Sequence, residues 1–143
     1  MAGDTEDEGR DRRISAGGDM RFLFQGKVKP YVRMTQRGKW IRKDAQAYLA
    51  SKYDLAMQLR EQMGENGWMP LDHTPMMVTI RIGQKIGLHR CDIDNQAKAC
   101  LDAANGIIWR DDRWVDVLLV SRTEALSDQV EIIVAPLQGG PNG

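Results

Sequence analysis

Apolar and polar positions along this chain follow two periods, and together they predict six elements. Met20 to Gln25 reads Met-Arg-Phe-Leu-Phe-Gln and stops at Gly26, which predicts a first strand. From Asp44 to Met63 apolar residues recur at spacings of three and four: Ala45, Tyr48, Leu49, Leu55, Ala56, Leu59 and Met63. The stem of Lys52 falls on the same side. That period is an amphipathic helix, with Asp44 to cap it and Gly64 to end it. Met76 to Ile82 predicts a second strand. A shorter helix then starts at Asp94 or Asn95 and runs to Asn105-Gly106, with Ala97, Cys100, Leu101, Ala104 and Ile108 as its apolar stripe. Val115 to Val120 and Val130 to Val134 predict two last strands, with Glu124 to Asp128 as a hairpin turn region between them. Strand, helix, strand, helix, strand, strand is an α/β (α+β) order: a small mixed sheet with helices packed on it.

The length of 143 residues suits one domain with its own core. Met1 to Asp19 carries almost no apolar side chains and reads as a disordered acidic tail. The domain proper is expected over 20–137, with a loose Gly/Pro end over 138–143. No apolar run reaches about 18 residues, which excludes a membrane-spanning helix, and the first residues lack the apolar core of a signal peptide. Cys91 and Cys100 form no disulfide framework, which suits a reducing cytoplasm. His73, His89 and Cys91 do not complete a four-ligand zinc set. Neither a Ser/His/Asp signature nor a Gly-x-x-x-x-Gly-Lys phosphate loop occurs, and nothing calls for an organic cofactor.

Net charge is zero, which by itself suggests no nucleic-acid partner, but the charges are unevenly placed. The tail holds six acidic residues against three arginines; without it, 17 basic residues face 14 acidic ones. Arg21 to Lys43 contains no acidic residue. Its basic residues are Arg21, Lys27, Lys29, Arg33, Arg37, Lys39, Arg42 and Lys43, with Tyr31 and Trp40 interleaved. Pro30 and Gly38 break regular structure there. A basic loop carrying aromatics is the composition of a phosphate-backbone contact surface, and a solvated loop is the plainer alternative.

Candidate chemistry gathers between Cys91 and Asp116. Asp92 and Asp94 are two apart, a spacing that puts extended side chains on one face. Asp94, Lys98 and Asp102 follow each other at intervals of four on the polar side of the helix. Carboxylates packed together raise each other's pKa, and a hard divalent cation removes that penalty. Asp92, Asp94 and one of Asp111 or Asp112 can supply such a site if the helix folds back. Lys98 can hold a scissile phosphate or offset charge in its transition state. On these residues alone, a solvated acidic loop and an Asp94–Lys98 surface pair remain open as the plainer reading.

The combined pattern is more specific than its parts. Asp92-Ile93-Asp94-Asn95-Gln96-Ala97-Lys98, then Leu101-Asp102-Ala103, Gly106 and Trp109-Arg110-Asp111-Asp112, resembles the signature of the RusA-type Holliday-junction resolvases, and the likeness extends from about Lys27 to about Val134. The resemblance implies a magnesium-dependent endonuclease, with manganese as a substitute, acting as a homodimer on branched DNA in recombination and repair. It places the essential carboxylates on Asp92, Asp94 and Asp112, with Asp111 as the alternative member of its pair, and the essential lysine on Lys98. It implies a bacterial or phage-encoded protein, and the basic loop, from its own composition, is expected to supply the DNA contacts: Lys27, Lys29, Arg33, Arg37, Lys39, Arg42 and Lys43. The proline-rich opening of some members is reduced here to Lys29-Pro30. The rival readings are a non-catalytic branched-DNA-binding protein, for which the carboxylates would need another purpose, and a flap or duplex nuclease.

Overall fold

The computed structural model describes residues 18–32, 43–87 and 90–137. Its elements are β1 (Met20–Gln25), α1 (Lys43–Asn66), β2 (Met76–Lys85), α2 (Ile93–Ala104), a 3-10 turn (Asp112–Trp114), β3 (Val115–Ala125) and β4 (Gln129–Pro136). The mixed α+β order matches the expected one. β1 has the expected bounds, and the other strands run longer, since polar residues such as Gln84, Arg122 and Thr123 continue the pairing. Helix α1 passes through Gly64 and ends instead at Gly67, whose φ of 65° suits a residue without Cβ. There Trp68 N–H donates to Met63 O and Gly67 N–H to Gly64 O, closing the last carbonyls.

Strands β1, β4, β2 and β3 lie side by side in that order. β4 is antiparallel to both β1 and β2, while β2 and β3 are parallel, with α2 as the crossover between them. The expected β3–β4 hairpin is therefore absent, because β2 lies between the two strands. Leu126 to Asp128 steps across the end of β2, and Asp128 fixes the crossing: its carboxylate accepts Lys85 N–H at 2.9 Å and its carbonyl accepts Gly26 N–H at 3.1 Å. Gly83 makes room below, since a Cβ there would lie 2.9 Å from Gln129 Cγ and 3.2 Å from Ala125 Cβ.

Both helices cover one sheet face. Phe22, Phe24, Val78, Ile80, Ile132 and Val134 point into that layer and are buried against Tyr48, Leu55, Leu59, Ala97 and Cys100. Full burial of each large apolar side chain contributes about 1.5–3 kcal/mol. On the opposite face Glu131 pairs with Arg21 at 3.4 Å and Arg81 at 3.2 Å.

The two rims of the sheet differ. On β1, Gln62 Oε1 accepts Leu23 N–H and Gln62 Nε2 donates to Leu23 O, at 2.9 and 2.6 Å. Gln58 does the same to Gln25, at 3.1 and 3.3 Å. Two glutamines one helical turn apart thus satisfy the strand's outward backbone groups. Among the described residues, β3 has no such cover, and Val117, Leu118 and Leu119 are exposed on it.

Candidate active site

Helix α2 carries most of the predicted chemistry. Asp92 caps it in extended backbone, with no hydrogen bond from its side chain to the helix. Asp94 lies in the first turn, exposed, and its Oδ1 accepts the N–H of Asn95 at 3.0 Å. The positive end of the helix dipole favours both carboxylates. Lys98 is also exposed, one turn on, and its Nζ sits 4.0 Å from the centre of the Tyr31 ring. Asp94 and Lys98 therefore share the rim of one open groove, floored by Ala97, Leu101, Leu118 and Val120.

The ring under Lys98 is itself held. Tyr31 N–H donates to Asn95 O at 3.1 Å, and its ring meets Tyr48 edge-on, 5.6 Å between centroids. Tyr48 OH donates to Asp102 Oδ2 at 3.1 Å. Burial, and then the charge of Asp102, push the Tyr48 phenol well above its ordinary value. Burial alone pushes the Cys100 thiol up to about 12, which makes it a packing residue and not a nucleophile.

A second set of contacts fixes the start of the helix. Arg122 Nη1, on β3, donates to Cys91 O at 2.6 Å and to Gln96 Oε1 at 2.9 Å. Gln96 is 2% exposed, and its Nε2 donates to Val28 O at 3.4 Å. Ser51 then accepts Lys29 N–H and donates to Lys27 O, both at 3.1 Å. The backbone before Asp92, the helix and the Lys27–Lys29 segment are thereby tied together. Arg33, Arg37, Lys39 and Arg42 lie outside the described residues, as does His89; Lys43 is exposed at the start of α1.

Asp111 and Asp112 sit elsewhere. Asp111 caps the 3-10 turn, its Oδ1 accepting Arg113 N–H at 2.9 Å, and Asp112 opens that turn half-buried. This turn precedes β3 at the far end of α2. The 12 residues of α2 span about 18 Å, and β3 rises roughly 23 Å from Val115 to Arg122. Within one chain the helix does not fold back to bring Asp112 to Asp92 and Asp94. Among the described residues, no three His, Cys, Asp or Glu side chains come together as a metal site. Asp92 and Asp94 still fit a hard cation as a donor set, since magnesium is commonly held by one or two carboxylates together with substrate phosphate.

Pattern reading singled out the acidic residues and Lys98 as candidates and gave Tyr31, Tyr48, Gln96 and Arg122 no part in supporting them. The one signal for them was the polarity of Gln96 and Arg122 inside otherwise apolar runs.

One mixed sheet with helices on a single face, and an open, largely apolar groove bordered by Asp94 and Lys98, define a small α+β protein. The chain belongs to the RusA endodeoxyribonuclease family, whose model matches residues 24–135. No curated protein matches the chain.

Proposed function

We propose that this protein resolves four-way DNA junctions by paired, magnesium-dependent hydrolysis of phosphodiester bonds, as a homodimer acting in recombination and repair. The observation that carries this reading is the shared groove of Asp94 and Lys98 at the positive end of α2, in a chain of an endodeoxyribonuclease family. Asp92 and Asp94 would hold the metal, joined in the homodimer by the partner subunit's Asp112. A bound magnesium ion supplies a water of lowered pKa and neutralises charge on the leaving oxygen. Lys98 contributes a fixed positive charge beside the phosphate, and its contact with Tyr31 orients the ammonium before DNA arrives. Lys27, Lys29 and Lys43, with Arg33, Arg37, Lys39 and Arg42, contact phosphates along the DNA arms and set position, not sequence. Two opposed strands must be cut to give two intact duplexes, so two sites related by a two-fold axis are required.

Incubation of the protein with end-labelled four-way junction and linear duplex, with magnesium or with chelator, tests the reading. Symmetric nicks on junction alone, only with magnesium, are expected. Equal cutting of junction and duplex, or full cutting in chelator, overturns it.

A further inference from the structure

We propose that a cavity beyond the start of α2 takes up one nucleotide of the DNA strand beside the cut, turned out of the base stack. This role rests on the nuclease reading above.

The sheet runs on past the helix layer. Leu118 and Val120 floor the groove of Asp94 and Lys98, and Arg122 and Glu124 are the next two residues on the same face of β3. They wall a separate cavity of about 270 Å³, with Gln84 opposite Glu124 on β2 and with Lys85, Arg90 and Thr123 around it. Arg122 belongs to both places. Its Nη1 is bonded to Cys91 O and to Gln96 Oε1, and the side chain borders the cavity. The residue before Asp92 is thus tied to the cavity wall. From Val120 to Arg122 the strand rises roughly 7 Å, about two stacked nucleotides at ~3.4 Å each. A DNA strand laid in the groove therefore reaches the cavity within about two nucleotides of the cut.

The lining decides what fits. Lys85, Arg90 and Arg122 place three cations around one opening, the charge that a phosphate requires. Glu124 stands among them, and a carboxylate repels a free anion. Cations and carboxylate together match a nucleotide. Its phosphate meets the cations and the N–H groups of its base meet Glu124, with Gln84 and Thr123 as further polar partners. The volume lies near the lower end of small-molecule sites, about 300 Å³, which suits one nucleotide and no more.

Eversion also bears on the choice of substrate. Turning a base out of paired, stacked duplex is costly, and least so where the base is already unpaired. A branch point interrupts the stack. A site that must fill this cavity before cutting therefore selects branched over continuous DNA.

Junctions carrying 2-aminopurine at each position flanking the branch point in turn read the eversion directly. Calcium is used, so that binding proceeds with little cutting. None of the described lining residues is aromatic, so the everted base is not restacked, and its fluorescence should rise severalfold at one position beside the cut. Glu124 is exposed, so Glu124→Ala leaves the fold intact. It should abolish the rise and slow cleavage at least about tenfold, the scale of one charge-assisted hydrogen bond. Junction affinity should stay level or increase, because a negative charge has left the DNA-facing side. Lys85→Ala should instead weaken binding and lower the log–log salt slope by about 0.9. A flat fluorescence profile from protein that cuts junctions in magnesium overturns the cavity and leaves the nuclease reading standing. So does Glu124→Ala with full cleavage and an undiminished rise. A rise that Glu124→Ala removes, in a protein that never cuts a junction, overturns the nuclease reading and leaves the cavity.

Discussion

The Lys98 ammonium lies 4.0 Å from the centre of the Tyr31 ring, and the Tyr31 amide is bonded to Asn95 on the same helix. Among the described residues, the ammonium proposed for catalysis thus meets an aromatic face and no carboxylate that would neutralise it. Lys98→Ala should lower single-turnover cleavage about 10²–10³-fold, the scale of losing one transition-state contact, with junction affinity little changed. Lys98→Arg should restore only part, since a planar fork is not a point charge. Tyr31→Leu should slow cleavage only several-fold, in line with a contact of about 0.5–1 kcal/mol. Lys98→Ala that weakens affinity alone would make the residue a docking contact.

Asp94 is exposed and bonded only locally, so Asp94→Asn should leave thermal stability unchanged while cleavage falls by orders of magnitude. Junction binding should survive, because phosphate contacts come from elsewhere. Manganese should replace magnesium, whereas the larger and more flexibly coordinated calcium should permit binding with little cutting. Gel-shift and cleavage assays on the same preparation separate these effects.

Gln96 joins Arg122 to Val28 beneath the start of α2. Gln96→Leu leaves a half-buried guanidinium and a carbonyl short of a partner, at a cost of about 1–3 kcal/mol. Denaturant unfolding should show that loss. Cleavage should also need more magnesium for half-saturation, since the backbone before Asp92 is less well fixed. An unchanged magnesium titration would limit Gln96 to a purely structural role.

Tyr48 links stability to pH. Its phenol ordinarily ionises at 10.0, and the folded state holds the proton to higher pH. Above about pH 10 the unfolded chain loses a proton that the folded chain keeps, so stability should fall as pH rises through that window. Cys100 adds to the same slope from its ordinary 9.0. Tyr48→Phe should remove the tyrosine share of the slope and cost about 1 kcal/mol at neutral pH, through the lost bond to Asp102. Urea midpoints between pH 7 and 11 measure both.

Among the described residues, local periodicity was enough to locate the four strands and two α-helices, because all but β3 bury one face against a single layer; β3, with no fully buried residue, was found by its apolar run alone. It could not tell β3 and β4 from a hairpin. A three-residue connection reads the same whether it joins neighbours or crosses a strand, and here the difference rests on Gly83 and on Asp128 bonding to two other segments. The placing of Asp94 and Lys98 beside one groove was legible because a spacing of four residues on a helix puts both on one face. Tyr31, Tyr48 and Arg122 were not, since their contacts join positions 17 to 67 residues apart in the chain and look like ordinary aromatic and strand positions. Nor does a motif within one chain reveal that α2 holds its two acidic ends apart.

The glutamine pair on β1 also sets how large an assembly can become. Accretion of sheets into a filament requires every unit to offer two rims, one to receive and one to extend. Gln58 and Gln62 leave this unit with a single receptive rim. An edgewise encounter through β3 would therefore use up the one rim each copy offers, with β1 closed to further addition. Substituting the glutamines would do more than loosen a helix: it would open a second rim of the sheet to a passing strand.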